Sequence, residues 1–299
     1  YCAIRTHHGQ TLPEDMPCED AIVRLADEPA GTGRPVALDG PAGRLRVAVV
    51  PGIFGECLIR FVSPFSDALA HLETHGYRTA VIRVSGTGGS PHNARQIRDA
   101  LLAMDLLPGE RVLLVGYSKG AADVLEALTT FPEILPRVAA LASVAGVVAG
   151  SPLADGTPDA YLRLVRRLEI KACGRGDGRG VESLRRSTRL QVLARVPLPS
   201  AVKYFSVAGI VDRSRTSALL RHGHRRLSEV DPRNDGQVIF SDAVIPGGVL
   251  LGFVRADHWA IAVPFSRQTP GLAATVIEHN AFPREVLLEA VVRMVEESL

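Results

Sequence analysis

The chain has 299 residues, 46% hydrophobic and 22% charged, which suits one large core or two modest ones and excludes a disordered or fibrous protein. Its longest apolar run, residues 138–150, falls short of the roughly 18 to 20 residues that cross a bilayer, so no membrane-spanning helix is expected. A formal charge of +2 is too small to point to nucleic acid.

Residues 1–43 are rich in Pro, Gly, Asp and Glu with weak periodicity, and read as an irregular or edge-strand lead-in. Cys2 and Cys18 are either a disulfide pinning this segment in an oxidising compartment or two free thiols. Together with Cys57 and Cys173 they form no CxxC pair and no His/Cys cluster at metal-ligand spacing, so no structural zinc is expected. The chain opens at Tyr1 without an initiator Met or an apolar leader. A processed form is one reading, and the compartment stays open between cytoplasm, periplasm and exterior.

From Arg44 short apolar runs alternate with helical patterns. Strands are expected at Leu45 to Val50, Arg78 to Val84, Arg111 to Val115 and Arg137 to Ala145. Helices are expected from Ser63 or Pro64 to Thr74, Asn93 to Met104 and Lys119 to Thr129. This alternation implies right-handed crossovers and a mostly parallel sheet covered on both faces, an α/β fold. The alternation stops between Ser151 and Pro199. There Thr157-Pro158 reads as an N-cap and first-turn pair, followed by Tyr161, Leu164, Val165 and Leu168 on one helical face. Residues 161–190 carry nine basic against three acidic residues, a local balance of +6. Strand Val202 to Val211, strand Val249 to Val254 and helix Arg284 to Glu297 complete the pattern. The division that follows is a lead-in (1–43), a core (44–150 and 200–299) and a basic cap or lid insertion (151–199).

The most informative residues are Gly116-Tyr117-Ser118-Lys119-Gly120, set between an apolar strand and a helix as a G-x-S-x-G nucleophile elbow requires. Small residues two positions either side let the backbone turn sharply and lift the Ser118 hydroxyl above the sheet edge. A serine hydroxyl needs a base, and in this architecture an acid and a histidine follow the serine in that order. His258 comes directly after strand Val249 to Val254 and is the candidate base. For the orienting acid two residues compete: Asp212, directly after strand Val202 to Val211, and Asp235, in the turn-forming Asn234-Asp235-Gly236. Asp257 is covalently too close to brace its neighbour's ring, and solvation at the surface is expected for it. Two amide donors would receive an oxyanion: Lys119 N–H, and Ile53 N–H in the Pro51-Gly52-Ile53-Phe54-Gly55 loop. The Lys119 side chain is expected to pair with Asp123, one helical turn on. Phe54, Tyr117 and Trp259 are the candidate substrate contacts.

With these motifs the chain resembles α/β-hydrolase-fold serine esterases, and within them is similar to bacterial triacylglycerol lipases, over about Leu45 to Phe265. In such lipases a histidine and a glycine precede the apolar residue of the first-strand loop. Here Pro51-Gly52-Ile53 lacks the histidine but keeps the amide donor. Ser85 to Ser90 followed by His92-Asn93-Ala94 resembles the stretch leading into their next helix, and Asn234-Asp235-Gly236 resembles their acid-bearing segment. The resemblance therefore favours Asp235 over Asp212. The chain departs at Tyr117 and Lys119, where His and Met or Gln are frequent. It departs again at Ala260, where a calcium-binding aspartate often stands, so no calcium site of that kind is expected.

The activity implied is cleavage of a small-molecule or lipid ester through an acyl-enzyme on Ser118, with no metal or organic cofactor and no nucleic-acid partner. The cap arginines would either meet a lipid interface or an anionic group, or simply solvate an outer face. An acyltransferase or thioesterase would use the same three side chains, and a non-catalytic binding protein would need Ser118 and His258 to stay apart.

Overall fold

The computed structural model describes residues 1–24, 38, 40, 44–53, 63–158, 160 and 176–299. Its strands are β1 (Ile22–Val23), β2 (Leu45–Val50), β3 (Arg78–Val81), β4 (Arg111–Tyr117), β5 (Val138–Val144), β6 (Lys203–Gly209) and β7 (Val249–Val254). The principal helices are α1 (Cys2–His7), α2 (Ser66–Thr74), α3 (Ser90–Ala103), α4 (Lys119–Thr130), α5 (Arg186–Arg195), α6 (Arg221–Ser228) and α7 (Arg284–Ser298).

Among the described residues the strands form one sheet in the order β1-β7-β6-β5-β4-β2-β3. Every pairing is parallel except that of β1, whose Ile22 and Val23 run antiparallel to Val254 and Phe253. The central strands β4 and β5 are almost wholly buried apolar runs, as strands covered on both faces must be. Side chains alternate between two cores. Val47, Val49, Leu113 and Val115 face Leu69 and Leu72 of α2 and Leu288 and Val292 of α7. Ala48, Val50, Val112 and Leu114 face Ile97 and Leu101 of α3 and Val124 and Leu128 of α4.

The elements fall where hydrophobic period places them, with shifts at the ends. Helix α3 begins at Ser90, ahead of the expected Asn93, because Pro91 sits in the first turn, where its missing N–H is not needed. The expected strand from Arg78 narrows to four residues, although Ile82 N–H still donates to Val49 C=O (2.9 Å). The first 24 residues are more ordered than their composition suggests, with α1, a second short helix (Cys18–Ala21) and β1. Cys2 and Cys18 are joined by a disulfide, their Cα atoms 5.6 Å apart. Of the 151–199 segment, the described parts include short helices at Pro152–Asp155 and Glu182–Leu184 and helix α5. The helical face of Tyr161, Leu164, Val165 and Leu168 lies outside the described residues.

A disulfide closing a loop of sequence separation 16 is worth about 3 kcal/mol in the chain-entropy description. Urea unfolding of the Cys2→Ser, Cys18→Ser double variant, or of the reduced parent, is therefore expected to lose about that much stability. Equal curves with and without reductant would contradict it.

Candidate active site

Ser118 stands between β4 and α4 with φ 55° and ψ −127°, in a region that residues with a side chain avoid. The turn is sustained by close packing around its glycines. A Cβ on Gly120 would lie 2.1 Å from Val50 C=O, and one on Gly116 would lie 2.6 Å from Ala121 Cα. The first turn of α4 thus presses against the ends of β2 and β4 with no room for a methyl group. Ser118 C=O accepts from Val147 N–H (3.0 Å), and Ser118 N–H donates to Val144 C=O (3.3 Å).

His258 reaches this serine from the turn after β7. Its Nε2 lies 2.8 Å from Ser118 Oγ, and its Nδ1 lies 2.8 Å from Asp235 Oδ2. An ionised carboxylate has no hydrogen to donate, so Nδ1 carries the proton and Nε2 is left to accept from the serine hydroxyl. Asp235 is fully buried, and its other oxygen accepts from Gln237 N–H and Val238 N–H, both at 2.9 Å. His258 N–H donates to Asp235 C=O (2.8 Å), so the two residues are fixed to each other through their backbones as well as their side chains. Asp212 is exposed at the start of a 3-10 turn, where its C=O accepts from Arg215 N–H (2.9 Å) and Thr216 Oγ1 (3.0 Å). Of the two competing aspartates, only Asp235 bonds to His258.

Further residues hold the His258 turn, and the sequence pattern does not single them out. Tyr117 belongs to the buried core cluster on the α2 and α7 face of the sheet. Its ring lies 5.2 Å from the His258 ring, and its hydroxyl donates to His258 C=O (2.7 Å). Burial, reinforced by the nearby Asp235 and Asp257 charges, pushes the Tyr117 phenol well above its usual range and keeps it a donor. Asp257 is buried, contrary to its expected solvation. Oδ2 accepts from Ser217 N–H (2.8 Å), and Oδ1 accepts from Trp259 N–H (3.1 Å) and Ala260 N–H (2.9 Å). This is an Asx turn, whose local signal is an aspartate followed by free amides two and three residues on. Burial raises the Asp257 carboxyl pKa. The fully buried Arg284 donates to Ala260 C=O (2.9 Å) and pairs with Asp67 (2.8 Å) and Glu14 (2.7 Å), tying the turn to α2 and the N-terminal segment.

Gly52, two residues after β2, comes close to the serine. A Cβ on Gly52 would lie 2.7 Å from Ser118 Cβ and 3.0 Å from its Oγ, so only glycine allows this approach. Ile53 is the next residue, half-buried, and Lys119 is the first residue of α4, whose N–H has no acceptor within the helix. The Lys119 side chain is buried with Nζ 2.6 Å from Asp123 Oδ1, the expected ion pair; burial lowers the ammonium pKa while Asp123 opposes the shift. Asp123 Oδ2 also accepts from Asn93 Nδ2 (2.7 Å). Trp259 is half-buried against Phe265, ring centroids 5.7 Å apart, and Phe54 lies outside the described residues.

A mostly parallel sheet with a serine on the elbow after its fourth strand and a histidine in the turn after its last defines an α/β-hydrolase. The chain is 42% identical to the metagenomic carboxyl esterase MGS0156, with 100% of this chain and 90% of that one covered and a TM-score of 0.94. It belongs to that family, the α/β-hydrolase carboxyl esterases. The mature form of Bacillus licheniformis lipase BlEst2 (22% identity, 88% and 96% of the two chains, TM-score 0.62) is similar in fold. So is Staphylococcus hyicus lipase (13% identity, 88% and 99%, TM-score 0.60). No sequence-family model and no curated relative matches the chain.

Asp257→Asn turns an amide NH2 toward backbone donors and leaves a buried N–H without an acceptor, a cost of about 1–3 kcal/mol. Denaturant unfolding should show that loss, and turnover of a model ester should fall with it because the same amides fix the His258 turn. Parent-like unfolding in this variant would mean the carboxylate carries no structural burden.

Proposed function

We propose that the chain hydrolyses carboxylic esters in two acyl-transfer steps, with Ser118 as nucleophile, His258 as base and then acid, and Asp235 as the orienting carboxylate. The observation that carries this reading is the continuous Ser118–His258–Asp235 hydrogen-bonded line, 2.8 Å at each link, ending on a strained elbow. His258 Nε2 takes the Ser118 proton as Oγ attacks the ester carbonyl, and the amides of Lys119 and Ile53 receive the oxyanion. Collapse expels the alcohol, which leaves with the proton from His258. Water, deprotonated by the same nitrogen, then attacks the acyl-serine and releases the acid.

The segment 151–199 is assigned the part of a cap beside the site, the remaining chain forming the lead-in (1–43) and the hydrolase core (44–150 and 200–299). Supporting this, Gly180 N–H donates to Thr87 C=O (3.0 Å), Asp177 accepts from Gly89 N–H (2.7 Å), and a Cβ on Gly180 would lie 3.4 Å from Ile53 Cδ1. The described arginines of the cap point to anchorage, beyond the two roles their charge suggests. Buried Arg189 donates to Val148 C=O (3.1 Å) and lies 3.6 Å from Glu126, and Arg186 pairs with Asp242 (3.0 Å). The substrate class is assigned as small-molecule or lipid esters, with a lipid interface met by the outer cap. The Cys2–Cys18 disulfide supports an oxidising compartment, and among the described residues no helix is long and apolar enough to cross a membrane.

A fluorophosphonate should label Ser118 and leave Ser118→Ala untouched. On p-nitrophenyl esters, Asp235→Asn should lower kcat by about 10⁴-fold, because the imidazole loses the partner that sets its tautomer. Asp212→Asn should turn over like the parent. An inert Ser118, or a dead Asp212→Asn beside an active Asp235→Asn, would refute the assignment.

A further inference from the structure

Away from the candidate active site, four side chains from three distant parts of the sequence converge: His8 just after α1, His71 and His75 on α2, and Glu289 on α7. Each offers one donor atom, and all four atoms lie within 4.8 Å of one another. His71 and His75 are one helical turn apart, so they share a face of α2. That pair is a metal-binding spacing within a single helix, but the other two ligands come from the chain's two ends, which is why the sequence shows no cluster.

The geometry is that of a coordination sphere slightly contracted. His8 Nε2 and His71 Nε2 each lie 2.7 Å from the same Glu289 oxygen, Oε2. A tetrahedral zinc with bonds of about 2.0–2.1 Å spaces its donor atoms by about 3.3 Å and its imidazole centroids by about 5 Å. The three ring centroids here are 4.4, 4.8 and 5.4 Å apart. The outer hydrogen bonds are those a metal site needs. His75 Nδ1 lies 3.0 Å from His71 C=O, so that nitrogen carries the hydrogen and Nε2 keeps its lone pair. Glu289 Oε1 accepts from Arg293 Nε (2.8 Å), which leaves Oε2 as the ligating oxygen. Glu289 and His71 are buried and His8 and His75 half-buried, so the site is dry at its base and open to entry at its rim.

We propose that His8, His71, His75 and Glu289 bind a structural divalent transition-metal ion, zinc foremost, closing three imidazoles and one carboxylate around it. Three nitrogens and one oxygen suit a borderline-soft cation and disfavour calcium or magnesium. With four protein ligands the sphere has no open position for substrate or activated water. The ion would join the N-terminal segment to α2 and α7, on the side of the core that the Cys2–Cys18 disulfide also secures. Binding displaces the hydrogens that both Nε2 atoms share with Glu289, and in each neutral ring that hydrogen moves to Nδ1 as Nε2 takes the metal.

The test uses the full chain, stripped with a chelator and dialysed, alongside His75→Ala, whose half-buried ring can be removed with little loss of core. Zinc(II) titrated alone should bind the parent at one equivalent and His75→Ala at least about tenfold more weakly. Cobalt(II) alone should give the parent the intense visible bands of a tetrahedral site, and the variant none. Chelator should lower the parent's thermal midpoint by several degrees and leave that of His75→Ala unmoved. Turnover of the stripped parent, well below its midpoint, should match that of the zinc-loaded form, which separates this site from the esterase chemistry. The proposal is overturned if the parent binds zinc more weakly than about 100 μM. It is also overturned if His75→Ala binds as tightly, or if stripping abolishes turnover of the still-folded chain.

Discussion

The constraint on which the site depends is the close approach of the α4 N-terminus to the carbonyl of Val50, where a Cβ on Gly120 would sit at 2.1 Å. That approach fixes the angle at which β4 turns into α4 and leaves Ser118 in a backbone conformation costing about 1–3 kcal/mol. The cost is offset because sheet and helix are both committed to the core on either side. Val115 packs on one face of the sheet and Val124 of α4 on the other, and neither can shift to relax the serine without opening buried apolar contact. The same compression brings Gly52 within van der Waals range of Ser118, so the loop after β2 is positioned by the strain it helps to hold.

The other half of the site solves a different problem, placing two side chains of a loop-rich region to within a hydrogen bond. It does so with backbone rather than side-chain bulk. Gly209, at the end of β6, has no room for a Cβ against Asp235 Cβ (2.8 Å) or Ala256 C=O (2.9 Å), so both loops close on the sheet edge there. Val211 N–H then donates to Asn234 C=O, and His258 N–H to Asp235 C=O, making the Asp235 and His258 turns one hydrogen-bonded unit. Tyr117 links that unit back to the elbow, since the residue before the serine donates to the carbonyl of the histidine. The tyrosine at this position is therefore a structural support of the His258 turn.

How much of this is legible in the sequence follows from how local each signal is. Strands β2 and β7 match the apolar pattern residue for residue, and Ser118 is written into five consecutive residues whose glycines each prevent a clash. His258 is legible from its place after β7. The acid is not legible from its surroundings, because Asp212 and Asp235 both follow β6 in turn-forming contexts, and only the lipase resemblance separates them. Asp257 and Tyr117 are opaque for another reason. The Ser217 N–H that completes the Asp257 turn and the His258 C=O that Tyr117 meets lie 40 and 141 positions away, and adjacency to His258 or Ser118 suggests solvation or substrate contact instead. The disulfide stays undecided in sequence because pairing depends on α1 and the Cys18 helix bringing two Cα atoms to 5.6 Å.

Two parts of the molecule are thus held by different kinds of force. At the carboxyl edge of the sheet the loops that carry Asp235 and His258 are tied by short directional bonds to backbone groups. Around α1, α2 and α7 the elements meet through charged and titratable side chains, Arg284 with Asp67 and Glu14 near one end of α7 and Glu289 with His8 and His71 further along it. A buried carboxylate among three imidazoles is held by charge and hydrogen bonding more than by packing.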